Sequence, residues 1–381
     1  MEKLTEFLEQ RRQQDRLRSL SAVQEREPGR CRIDGRELVD LSSNDYLGLS
    51  AHPRLQEAAR RALDKDGTGS GASRLMSGDL ELHHRLEKHT AKLKGTEAAL
   101  AFNSGYQANT GLIPALAGRH DAIFADRLSH ASLVDGAMLS RAKLHRFRHN
   151  DPAHLEQLLQ RQRSGARYAF VVTESVFSMD GDLAPLETLA ELAERYSCML
   201  VVDEAHATGI FGPGGAGRVE AEGLTDRTAV MMGTYSKALG GFGAYVAGSR
   251  TLVDYLVNSA RSFIYSTALP PAVTAANLAA VELCLGGLDR GRELLSRAAR
   301  FRQELERQGW HIKGYSQIVP LLLGDSSEAL RLGRKLRERG FLTVPVRPPT
   351  VPEGQARLRL SLSWAHDPAD LEALVEALNE V

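Results

Sequence analysis

The chain has 381 residues, 43% of them hydrophobic, and its 48 Lys and Arg are balanced by 48 Asp and Glu. That length holds two or three packed units. The even charge argues against a nucleic-acid footprint and against an acidic disordered tail, and no apolar run approaches the ~20 residues of a membrane span.

The opening stretch, MEKLTEFLEQRRQQDRLRSL, carries Glu2, Glu6, Glu9 and Asp15. A secretory signal would need an apolar segment there, so the pattern predicts an amphipathic surface helix within a helical arm over residues 1–44. From 45 to 275 short apolar runs alternate with helical patterns: ALAFN (99–103), AIFAD (122–126), YAFVVTESV (168–176), MLVVDEA (199–205), AVMMGTYS (229–236) and AYVAGS (244–249). Near-continuous apolar strands separated by helices predict a mostly parallel sheet covered on both faces. Only YSKALGGFG joins the last two runs. It is too short for a helical crossover, so that pair is expected to be antiparallel. Helical patterns at 272–286, 291–308, 326–340 and 367–379 surround strand-like IVPLLL (318–323), FLTVPV (341–346) and ARLRLSLS (356–363), and predict a smaller α/β domain over 276–381. Within it RPPTVPEG (347–354) is too proline-rich for a central strand and reads as a loop carrying Arg347. Cys31, Cys198 and Cys284 are odd in number and far apart. They predict no disulfide framework and no zinc cluster, and they suggest a reducing compartment such as the cytoplasm.

Ligands of open parallel sheets gather at the carboxyl ends of the strands. VVDEAH puts Asp203 and His206 at one such end, VTESVFSMDG puts Glu174 and Ser178 at another, and FADRLSHAS puts His130 just past a third. FNSGYQAN places Gly105 and Tyr106 where a strand turns into a helix, a natural anion site. GTYSKALGG (233–241) places Lys237 in the tight connection. The phosphate-loop pattern fails there, because the glycines follow the lysine. GTGSGAS (67–73) follows no strand and is read as a loop, not as a dinucleotide site. Each residue alone is more economically a cap or a packed polar group. Together they are an amine, a carboxylate 34 residues before it, two histidines and an anion nest on one rim. Those are the groups pyridoxal 5'-phosphate (PLP) requires.

SSNDYLGL (42–49), SGASRLMSG (70–78), SHASLVDG (129–136), FSMDGD (177–182), VVDEAHATG (201–209), GTYSKALGG (233–241) and IYSTALPP (264–271), in this order, resemble the α-oxoamine synthases. These are fold-type I, aspartate-aminotransferase-like PLP transferases with a large mixed-sheet domain and a smaller C-terminal α/β domain. The resemblance implies decarboxylative condensation of an amino acid with an acyl thioester. SNDYLGL, SRLMSG and the Arg-Pro-Pro-Thr loop look most like the member that joins L-alanine to pimeloyl-CoA or the pimeloyl carrier-protein thioester, in biotin synthesis. The alternative is the member that joins glycine to acetyl-CoA. By the same resemblance Lys237 would hold PLP as an imine and act as general base, Asp203 would keep the pyridine nitrogen protonated, and His206 would donate to the phenolic oxygen. His130 would cover the ring and contact the substrate. Gly105, Tyr106, Ser178 and Thr234 would fix ring and phosphate, while Ser266 and Thr267 would reach the phosphate of a neighbouring subunit, which implies a homodimer. Arg347 would take the substrate carboxylate, with Asn44 nearby, Arg18 on the acyl substrate and Thr350 on either part. Glu174 is expected to orient a neighbour.

Overall fold

A computed structural model describes residues 1–380. The chain forms two compact units. One contains Met1–Gly48, Met179–Asp182 and the residues from Glu293 onward; the other contains Leu49–Ser178 and Leu183–Arg292.

The larger unit is built on a seven-stranded sheet. Its order is Ala98–Phe102, Ala244–Gly248, Val230–Thr234, Met199–Asp203, Ala169–Glu174, Ala122–Asp126 and Lys143–Phe147. Valines and other apolar residues fill both faces. Val171, Val172, Val201, Val202, Met231 and Met232 are all at most 2% exposed, as expected of strands covered on both sides. The tight connection does reverse the chain: Ala244–Gly248 pairs antiparallel with Val230–Thr234, and it also pairs antiparallel with Ala98–Phe102. The sheet is therefore mixed at one edge and parallel elsewhere. The seventh strand, Lys143–Phe147, is absent from the expected set. KLHRF is a half-exposed edge strand and lacks the apolar run that marks the other six.

The helix Pro271–Leu285 packs on Pro53–Asp66 and Glu81–Lys94 and so belongs to this unit. The unit boundary accordingly falls at 292/293, not at the expected 275/276. The change of texture near 275 marks an all-round buried helix, with Thr274, Asn277, Val281 and Cys284 inside.

In the other unit only Glu2–Gln13 of the expected helical arm is helical, and none of that helix is buried. Residues 25–40 form three antiparallel strands, Glu25–Glu27, Arg30–Ile33 and Arg36–Asp40. Asp34 and Gly35 turn the second hairpin with φ of 52° and 73°, the backbone that an Asp-Gly pair favours in a two-residue loop. FLTVPV divides between two sheets. Phe341–Leu342 runs parallel to Arg36–Asp40, and Pro345–Val346 pairs with Ala356–Ser361, which in turn pairs with Ile318–Gly324. Residues 347–354 are loop, as their prolines require. The excursion Met179–Asp182 is tied into this unit by Arg357, whose fully buried guanidinium meets Asp180 at 2.8 Å.

Candidate active site

Parallel strands end on the same edge, and three adjacent ones deliver the polar groups of the site. Glu174 lies beside Asp203 and Asp203 beside Met232 in register, with Thr234 two residues further along. Past Thr234 the chain tightens into a turn. Tyr235 N–H donates to Gly243 O at 3.0 Å, Gly241 N–H to Tyr235 O at 2.8 Å and Gly240 N–H to Lys237 O at 2.9 Å. Gly240 has φ of 67°, and a Cβ there would stand 2.4 Å from the Leu49–Ser50 peptide, so only glycine closes the turn. This is why the glycine pair follows Lys237. The turn leaves the lysine half-buried at the rim.

Lys237, Asp203, His206, His130, Gly105, Tyr106 and Thr234 line one cavity of about 190 Å³, together with Asn109, Ser132, Glu174, Ala205, Met232 and Ser236. Asp203 is held on both oxygens: Ala205 N–H donates to Oδ1 and Asn109 Nδ2 to Oδ2, each at 2.9 Å. Ser104 caps the helix Gly105–Leu116 by accepting from Gln107 N–H at 3.1 Å. The Gly105 and Tyr106 amides, in its first turn, have no carbonyl four residues back within the helix and are available to an anion. Glu174 Oε1 accepts the backbone N–H of His130 at 2.7 Å. Burial, reinforced by the charge of Asp203, pushes the Glu174 carboxyl well above its ordinary range; the His130 amide, Lys237 and the Ser178 amide oppose this. His130 exposes surface to the cavity, yet the protein around its ring is dense enough to hold its pKa below the usual value. Asp203 and Asp135 oppose that lowering and Lys237 adds to it.

The raised Glu174 carboxyl has a consequence for stability. A group whose folded pKa exceeds its unfolded one contributes stability below the unfolded value, here 4.5, and loses it as pH rises through the folded value. Glu174→Gln, which keeps an acceptor for His130 N–H, should therefore gain thermal stability over wild type as pH is raised from 4 to neutrality. A pH-independent difference between the two melting curves would refute this.

The residues fit PLP. There is an amine for an imine, a fixed carboxylate, two imidazoles and a helix N-terminus. Two buried polar atoms lack a protein partner, Thr234 Oγ1 and Asn109 Oδ1, and the residues of both line the cavity. Gly105 adds a close backbone approach, since a Cβ there would meet Thr234 Cγ2 at 3.0 Å. Not every expected residue lies in this cavity. Ser178 is buried near Glu174 but does not line it. Ser266 and Thr267 line a separate small cleft with Arg74, His83 and Asn103. Tyr106 reaches across to Asp135, to which its hydroxyl donates.

Arg18, Asn44, Arg347 and Thr350 belong to the other unit. There Arg18 Nη2 donates to Thr350 Oγ1 at 2.7 Å, and Arg347 donates to the backbone oxygens of Asp15 and Leu17. Asn44 Oδ1 accepts from the buried Arg359 at 3.2 Å. Asn109, Ser132 and Arg359 were not singled out by the sequence. Asn109 was recoverable, because it lies one helical turn after Gly105 and so faces the same way. Ser132 reads as an ordinary first-turn residue.

A family model for aminotransferase class I and II matches residues 36–378. An 8-amino-7-oxononanoate synthase of Geotalea daltonii is 50% identical over 384 aligned positions, which span 100% of this chain and 98% of that protein. The chain belongs to the 8-amino-7-oxononanoate synthase family. A solved member of that family, from Francisella tularensis, superposes with a TM-score of 0.78 at 31% identity, covering 90% of this chain and 97% of that one. A high-resolution structure of SPT with a PLP internal aldimine superposes with a TM-score of 0.91 at 31% identity, covering 95% and 92%. The 8-amino-7-oxononanoate synthase relationship thus extends over both units, and the expected fold-type I architecture stands.

Proposed function

We propose that the chain is a PLP-dependent acyltransferase. It condenses L-alanine with pimeloyl-CoA, or the pimeloyl carrier-protein thioester, and releases 8-amino-7-oxononanoate, CO₂ and CoA or the carrier, in biotin synthesis. One observation carries the reading: Lys237, Asp203, His206 and His130 open into a single cavity of a chain that is half identical, end to end, to 8-amino-7-oxononanoate synthases.

Bound PLP supplies an electron sink for the carbanion at the substrate Cα. Lys237 Nζ would anchor the cofactor, and the same amine is placed to remove the Cα proton of alanine. Asp203, oriented by Asn109 and the Ala205 amide, would keep the pyridine nitrogen protonated. His206 would donate to the phenolic oxygen. Gly105, Tyr106 and Thr234 would hold the phosphate end, with Ser178 assisting. His130 would donate to substrate oxygen. By the family resemblance Arg347 would take the substrate carboxylate, a task suited to a planar guanidinium, with Asn44 contributing; Arg18 would meet the acyl substrate and Thr350 either part.

A homodimer completes the assignment, Ser266 and Thr267 of one protomer serving the neighbouring site. Adjacent pairs of large apolar side chains left in solvent are in keeping with a subunit interface: Leu75 is 51% and Met76 79% exposed, Met138 69% and Leu139 62%. The three cysteines are free thiols, in keeping with a cytoplasmic setting.

The test is CoA release with L-alanine plus pimeloyl-CoA set against glycine plus acetyl-CoA, at equal enzyme. The first pair should be faster by at least about tenfold, the scale of discrimination that a methyl group and a fitted acyl chain provide. The reverse order would assign the chain to glycine acetylation.

A further inference from the structure

Four side chains form a continuous hydrogen-bonded path along the cavity wall. Asn109, fully buried, uses both Nδ2 hydrogens: one on Asp203 Oδ2 and one on Ser132 Oγ, each at 2.9 Å. The flipped amide would face a carbonyl oxygen to the Asp203 carboxylate, so the carboxylate sets its orientation. Ser132, 1% exposed, therefore accepts from Asn109, and its Oγ lies 2.7 Å from His130 Nδ1, a pair in which the direction depends on the tautomer. The Ser132 backbone N–H decides it: this group can only donate, and it points at the same nitrogen, 3.2 Å away, so Nδ1 accepts and the Ser132 hydroxyl hydrogen is free to turn toward it. Two donors thus converge on Nδ1, which has room for no proton of its own. A neutral imidazole has one N–H; here it is Nε2–H. Glu174 holds the His130 main chain from the other side.

We propose that Asn109 and Ser132 are positioning residues that couple the Asp203 carboxylate to His130 and hold its imidazole as the Nε2–H tautomer, a donor toward the cavity. This rests on the cavity being the cofactor site, as read above, but not on which amino acid or thioester enters it. The charged groups facing the ring are Asp203, Asp135 and Lys237. A donating Nε2–H serves a carboxylate or carbonyl oxygen of the substrate. It does not accept the Cα proton, which leaves that step to Lys237.

The experiment is a long-range ¹H–¹⁵N correlation on ¹⁵N-histidine-labelled holoenzyme at mildly alkaline pH. His130 is identified by the signals missing in His130→Gln. The expected result is a protonated Nε2 with an unprotonated Nδ1; a protonated Nδ1, or an even mixture, overturns the proposal in wild type without recourse to variants. Ser132→Ala should move the His130 signals toward the mixture. Asn109→Leu and Ser132→Ala should each weaken PLP binding to the apoprotein about tenfold, or about 1.4 kcal/mol. Their combination should fall well short of a hundredfold, because both act through one path. Fully additive losses with the His130 signals unmoved would mark both residues as ordinary packing and refute the coupling. Wild-type apoprotein that takes up no PLP would refute the cofactor-site reading instead, and the tautomer measured in that same protein would still decide the inference.

Discussion

Lys237→Ala should lose turnover by at least about 10³-fold, the scale that removal of a positioned general base produces, and should no longer yield a borohydride-trapped PLP–lysine peptide. The lysine sits in a turn that the backbone closes with three hydrogen bonds and a glycine no other residue can replace. Lys237→Arg separates charge from chemistry: it keeps a cation at the rim but offers no amine that can form or exchange an imine at neutral pH. Both variants should be folded, because the side chain is half-buried and stands at the cavity mouth. The measurements are CoA release, the visible absorbance of the purified protein and peptide mapping after reduction. A trapped adduct of unchanged yield in Lys237→Ala would end the assignment of this residue.

Lys94→Met should destabilise the protein by about 3–5 kcal/mol, the cost of stranding one partner of a buried ion pair. Lys94, on the helix Glu81–Lys94, and Glu204, directly after Asp203, are both fully buried and joined by a salt bridge. Lys94 also donates to Ala216 O, and Glu204 Oε1 accepts Val219 N–H at 3.0 Å. Removing the ammonium leaves a carboxylate in a dry interior with a single backbone donor. Lys94→Met combined with Glu204→Gln removes both charges, keeps an acceptor for Val219 and should recover about half of the loss. Chemical denaturation of the two variants and wild type measures this. A single-variant loss below about 1 kcal/mol, a surface-pair value, would show that the pair is solvated in solution.

Most of what carries the chemistry lay in local pattern. Six strands of the main sheet are short apolar runs between helical segments, and the length of YSKALGGFG alone implied the antiparallel turn at Lys237. Strand ends then placed Asp203, Glu174 and His130 on a common rim, since parallel strands share a direction. The hairpin over Arg30–Asp40 was also within reach, because Asp34-Gly35 is a strong turn signal between two strand-like runs. Expecting a helical arm there extended the character of residues 1–20 beyond its evidence in the residues themselves.

The sequence by itself determined the mostly parallel sheet, its antiparallel turn and the common rim of Lys237 and Asp203, because each depends on periodicity, spacing or strand direction within a few dozen residues. Tertiary structure alone decided that Asn109 bonds Asp203 across 94 positions, that Lys94 meets Glu204 across 110, and that Met179–Asp182 belongs with the C-terminal unit. The reason is physical: a side chain's partner far along the chain is chosen by how strands and helices pack, and a buried amide or ammonium carries no periodic signature of the group it will meet.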